Sequence, residues 1–128
     1  MSTQPKTWII TGGSRGIGRA VVERVIARGD RVVSLSRGVS SLEFSRPRQV
    51  MEIKTDVTEG DSVARAIRAV AEEYGSVYAL VNVAGVHRGG RVTDLSRVDW
   101  DLVLRTNLTG AFETSRATVP ILEPGGAI

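Results

Sequence analysis

Apolar residues along the chain alternate between two patterns. Short, nearly unbroken apolar runs occur at residues 6–11 (KTWIIT), 31–36 (RVVSLS), 50–54 (VMEIK) and 78–83 (YALVNV), and each reads as a buried strand. Between them the apolar positions follow helical spacing. Ile17, Ala20, Val21 and Val25 predict a helix that stops at Gly29. Val63, Ile67, Val70 and Tyr74 predict a second helix that ends at Gly75, with Thr58 and Asp61 in capping-box spacing at its start. Ser96 and Asp99 repeat that spacing ahead of Trp100, Val103, Leu104, Leu108, Ala111 and Phe112, so a long third helix runs toward Pro120. Residues 37–49, with Gly, Ser and Pro, form an irregular connection, and residues 125–128 (GGAI) read as the start of a fifth strand.

Strands that alternate with helices, each a near-continuous apolar run, predict an α/β fold: a doubly wound, Rossmann-like parallel sheet covered on both faces. Ligands of such sheets lie beyond the carboxyl ends of the strands. The decapeptide TGGSRGIGRA, residues 11–20, stands at such an end.

Composition narrows the picture. A chain of 128 residues, 41% hydrophobic and 24% charged, fits one globular domain spanning residues 1–128. With no cysteine and only His87, disulfides are excluded and a structural zinc site lacks a ligand set. The opening residues lack a signal-peptide pattern, and no apolar run approaches the ~20 residues that cross a bilayer. The expectation is a soluble, cytoplasmic protein with no membrane partner. Net charge is +3, but residues 1–50 carry nine Lys/Arg against three acids, so this part should attract anions. Nucleic acid is not the expected anion, because aromatics are only 5% and the basic residues are dispersed. A small phosphorylated ligand fits better.

Four glycines, Gly12, Gly13, Gly16 and Gly18, follow the first strand. They permit a tight turn and a close backbone approach to a pyrophosphate, and the helix beginning near Gly16 offers free N–H groups and its dipole to that anion. A plain strand-to-helix turn would use the same glycines. Two other phosphate or catalytic motifs overlap this stretch. Gly13 and Gly18 have P-loop separation, but Arg19-Ala20 replaces the required Lys-Ser/Thr. Residues 12–16 spell G-x-S-x-G, with Asp56 and His87 following in hydrolase order, yet too little chain precedes Ser14 to supply the second oxyanion donor.

Taken together, several segments resemble the short-chain dehydrogenase/reductase family, in particular its bacterial 3-oxoacyl-acyl-carrier-protein reductase-like members. Thr11, Gly12, Gly16 and Gly18 match its T-G-x-x-x-G-x-G cofactor motif, with Ser14, Arg15 and Ile17 inside it. Asp56-Val57 resembles its adenine-contacting pair. Asn82-Val83-Ala84-Gly85 resembles its N-N-A-G motif, with Val83 in place of the second Asn. Asn107, in residues 106–110 (TNLTG), falls on the same helical stripe as Trp100, Val103, Leu104, Leu108 and Ala111, where a buried amide must find partners; it resembles the family's active-site asparagine, which implies a local helix bend and a water in a proton relay. The resemblance implies strand order 3-2-1-4, with the fifth strand only begun and strand four left as an unpaired edge. It also implies a small-molecule carbonyl or alcohol substrate and a homo-oligomer. His87 is expected in a loop near the cofactor mouth without a catalytic role.

Cofactor choice follows from charge. An NAD-preferring site places an acid about 20 residues past the glycine turn. Ser36 and Arg37 stand there instead, and Arg37, with Arg15, can pair with a 2′-phosphate, so NADP(H) is expected over NAD(H). The family's proton-donating residues are a serine after the fifth strand and a Tyr-x-x-x-Lys. Tyr74 is followed four places on by Tyr78, Tyr78 by Asn82, and the only lysines are Lys6 and Lys54. The sequence therefore reads as the cofactor-binding N-terminal part of an oxidoreductase, inactive by itself. A nucleotide-binding or assembly module without catalysis is the other reading.

Overall fold

The apolar runs form the strands they predict. In a computed structural model, the structure describes residues 4–40 and 43–128. The strands are β1 (Thr7–Thr11), β2 (Arg31–Ser36), β3 (Val50–Lys54), β4 (Val77–Asn82) and β5 (Leu122–Ala127), all parallel, in the order β3-β2-β1-β4-β5. The helices are α1 (Gly16–Ala27), α2 (Gly60–Tyr74), α3 (Arg97–Val103) and α4 (Gly110–Thr118). A π-helical stretch, Leu104–Thr109, joins the last two into one continuous rod.

Strand alternation explains the two layers. Ile9 faces a core built with Val33, Leu35, Leu80 and the α2 residues Val63, Ile67 and Val70, whereas its neighbour Ile10 faces Val22, Val25 and Ile26 of α1. Both β1 isoleucines are wholly buried, as expected of the central strand of a sheet covered on both sides. Phe44, inside the irregular connection, is buried in the α1 core and so ties that loop to the fold.

The structure corrects five expectations. First, β5 begins at Leu122 and pairs with β4, Val77 opposite Leu122 and Ala79 opposite Ala127, so β4 is not an unpaired edge. The five β5 steps against two on β4 are absorbed by an irregularity around Gly125, at φ +82°. Second, Thr58 does not cap α2. The helix starts at Gly60 with Glu59 as an uncapped N-cap, and the Thr58 hydroxyl donates to Asp56 instead. Third, the inward face of α1 is Gly18, Val22, Val25 and Ile26, while Ile17 is 76% exposed and Ala20 is also exposed. Fourth, the apolar stripe Trp100, Leu104, Leu108 and Phe112 faces outward. The buried stripe is Thr106, Gly110, Thr114 and Thr118, at four-residue spacing. Close packing decides this: a Cβ on Gly110 would sit 2.8 Å from Val57 Cγ2, and the Thr114 hydroxyl donates to Asn82 Oδ1 at 2.6 Å. Small residues suit that gap, and bulky ones do not. Fifth, Asn107 is therefore not on a buried apolar stripe; it is exposed, with its amide partnered as described below. The Ser96 cap is present, its hydroxyl accepting the Asp99 N–H at 3.1 Å.

Candidate functional site

The carboxyl ends of β1 to β4 open on a cleft of about 760 Å³. Its floor is the glycine turn between β1 and α1. Gly12 adopts φ +70°, a conformation that favours glycine, and donates its N–H to the Leu35 carbonyl at 2.8 Å. A Cβ there would lie 3.0 Å from the Ala84 backbone. A Cβ on Gly18 would lie 2.0 Å from the Gly12 carbonyl oxygen, so the turn is pressed against the first turn of α1 as no other residue allows. Thr11 fixes the turn to the end of β4: its hydroxyl accepts the N–H groups of Val83 and Ala84, both at 3.0 Å.

The start of α1 is electrostatically open. Its N-cap, Arg15, is extended, no side chain caps the first turn, and no acid stands there. The unpaired N–H groups and the positive end of the helix dipole are available to an anion.

Arg15 and Arg37 line the cleft, and the side chain of neither forms a hydrogen bond or ion pair among the described residues. At the end of β2, Ser36 is buried, with its Oγ 3.5 Å from Ser34 Oγ, and it contributes a hydroxyl where a carboxylate would repel a second phosphate. Asp56 stands on the far wall. Its Oδ1 accepts the Thr58 N–H at 2.9 Å and the Thr58 hydroxyl at 2.7 Å, leaving Oδ2 unpaired among the described residues. The Thr58 hydroxyl, more than any other group, holds this carboxyl below its ordinary value. Partial burial opposes it, and the Thr58 N–H and the charges of Arg37 and Arg105 reinforce it. Asp56 is thus an anion with one free acceptor oxygen.

The cleft brings together Gly12, Ser14, Arg15, Gly16, Ile17, Gly18, Arg37, Asp56, Val57, Ala84 and Gly85. Two named residues lie outside its lining. Asn82 is behind it, its Oδ1 accepting from Thr114 and its Nδ2 donating to Ser115 Oγ at 3.3 Å, which ties β4 to α4. Asn107 sits on the π-helical stretch and clasps one residue of the loop after β4: its Oδ1 accepts the Val86 N–H at 2.8 Å and its Nδ2 donates to the Val86 carbonyl at 2.9 Å. Where a local bend is expected, the helix is π-helical. His87 follows in the same loop, exposed.

Among the lining residues that sequence reasoning missed are Thr55, Thr58, Leu102, Arg105 and Thr106. Thr58, two residues past Asp56, has the spacing of an Asx turn, a signal that could have found it. Arg105 is one of 15 arginines, and its place on the wall depends on the helix irregularity, which nothing in the apolar period announces.

Comparison with known proteins agrees with this geometry. The sequence model of the family described as short chain dehydrogenase matches residues 6–128. The 3-oxoacyl-acyl-carrier-protein reductase MabA of Mycobacterium bovis is 35% identical over 108 residues, covering 84% of this chain and 42% of the relative. The ligand-free aldohexose dehydrogenase of Thermoplasma acidophilum superposes with a TM-score of 0.85 at 34% identity, covering 93% of this chain and 45% of that one. A short chain dehydrogenase of Leptospira borgpetersenii with bound NAD+ superposes with a TM-score of 0.83 at 26% identity, covering 90% and 45%. The chain spans about half the length of the curated relatives it matches.

Proposed function

The chain belongs to the short chain dehydrogenase family, and on that premise we propose that it carries the cofactor-binding part of an NADP(H)-dependent oxidoreductase that interconverts a carbonyl and a hydroxyl group of a small molecule. The observation that carries the reading is the glycine cradle. Gly12 and Gly18 leave no room for a Cβ beside an uncapped helix start, which is the arrangement a dinucleotide pyrophosphate needs.

The residues present fit the cofactor from end to end. Gly12, Ser14, Gly16, Ile17 and Gly18 would hold the pyrophosphate, and Asp56, with Val57 beside it, would accept from the adenine amino group. Ala84 and Gly85 would border the dinucleotide where β4 ends, above Asn82. Arg37, with Arg15, would pair with a 2′-phosphate, which no carboxylate at Ser36 repels. When bound, the dinucleotide supplies the hydride. Asn107 holds the Val86 peptide through both of its polar groups and so sets the loop that borders the reacting end. The π-helical stretch around it interrupts the ordinary helical ladder, and a main-chain carbonyl released in this way would accept from a water that passes a proton. Residues 1–128 hold no Tyr-x-x-x-Lys. The proton donor of the reaction is therefore assigned to other residues of the enzyme, and residues 1–128 alone are expected to be inactive. We place the enzyme in the cytoplasm, as a homo-oligomer.

Titrating NADPH and NADH against the wild type and Arg37→Ala tests the cofactor preference. The wild type is expected to favour NADPH. Loss of a charge-assisted bond worth ~1.5–3 kcal/mol should weaken NADPH roughly tenfold to a hundredfold in the variant, and NADH by less. Equal wild-type affinities would refute the preference.

A further inference from the structure

We propose that Arg105 is a cofactor-binding residue that closes the adenine end of the cleft, its guanidinium laid against one face of the purine while Arg37 flanks the other. The assignment rests on the dinucleotide reading above. Arg105 lies on the π-helical stretch, with Leu102 and Thr106 beside it in the lining, and shares that lining with Asp56 and Val57. It is exposed and its side chain forms no hydrogen bond or ion pair among the described residues, although Asp56 and Glu59 line the same cleft. Its charge reaches the Asp56 carboxylate, as does that of Arg37. The three groups thus surround one space.

Chemistry then fixes what each side can do. The free Oδ2 of Asp56 accepts in the plane of the base, from an amino group on the purine edge. A purine held by its edge turns its two faces toward the neighbouring walls, Arg37 at the end of β2 and Arg105 on the helix. A guanidinium is planar, weakly hydrated and stacks on aromatic faces, so an unpaired arginine at each wall suits a sandwiched base. This contribution acts on the adenine and is independent of the 2′-phosphate. It is therefore separable from the role of Arg37 in cofactor choice.

The test is calorimetric titration of the intact protein with NADPH and with NADH, for the wild type, Arg105→Ala and Arg105→Met. The methionine keeps an unbranched stem and removes the guanidinium. Circular dichroism and melting of the free variants serve as controls, and an exposed position is expected to leave both unchanged. Both variants are expected to bind NADPH and NADH roughly threefold to thirtyfold more weakly, by the same factor for each, so that the NADPH/NADH ratio stays at its wild-type value. Unchanged affinities would overturn the assignment. A loss confined to NADPH would also overturn it, placing Arg105 on the 2′-phosphate. A wild type that binds neither dinucleotide would overturn the cofactor reading and this assignment with it.

Discussion

At Asp56, a threonine two residues along the chain sets the charge that the cleft presents. The Thr58 hydroxyl and N–H stabilise the carboxylate form, and Arg37 and Arg105 add to the effect, so the folded-state pKa lies below its ordinary 3.8. The sign follows from linkage. A depressed carboxyl contributes stability that is complete above its unfolded-state value and is lost as pH falls through the lower folded one. Dinucleotide affinity is therefore expected to show no carboxylate titration between pH 7 and pH ~5, and Thr58→Val is expected to bring one closer to that range. Fluorescence titration of NADH, which lacks the 2′-phosphate that itself titrates near pH ~6, checks both across this interval; a wild-type NADH affinity that already falls by pH ~5 would contradict the assigned role. The motif residues at this scale were legible because each is a residue type with one chemical task. Thr58 was legible only as a capping candidate, since the same hydroxyl can serve the helix after it or the carboxylate before it.

Among the elements, β1 to β4 and the C-terminal end of α2 were readable because buried strands are unbroken apolar runs and glycines punctuate the chain. The inner faces of α1 and of the α3–α4 rod were not. In both, the surface against the sheet carries small residues, Gly18 in one and Thr106, Gly110, Thr114 and Thr118 in the other. A rule that turns the bulkiest residues inward fails where backbones must approach closely. Gly110→Ala is expected to destabilise the fold by about 1–3 kcal/mol, through overpacking against Val57. Because the clash is with a side chain, Val57→Ala in the same protein is expected to recover part of that loss; chemical denaturation of the two single variants and the pair would show it. Ser96→Ala is expected to cost about 1 kcal/mol by removing the cap on α3.

For the whole molecule, the outward stripe is the feature that most affects behaviour in solution. Trp100 is 50% exposed, Leu108 66% and Phe112 56%, and Leu104 lies between them on the same rod. Contiguous apolar surface of this kind promotes association. Residues 1–128 expressed alone are expected to sediment as an associated species, and Leu108→Glu with Phe112→Lys to move it toward monomer. No described helix is long and apolar enough to cross a membrane. The layered sheet was legible in the alternation of elements, whereas the pairing of β5 was not, because its run from Leu122 to Ala127 contains Pro124 and two glycines and lacks the apolar signature of the other strands. The central claim, that the glycine turn holds a dinucleotide pyrophosphate, is tested most directly by calorimetric titration of NADPH against the wild type and Gly18→Val, with circular dichroism confirming that the variant is folded. The account predicts binding in the wild type and none in the variant, whose added side chain would start 2.0 Å from the Gly12 carbonyl oxygen. Undiminished binding by a folded Gly18→Val protein would contradict it.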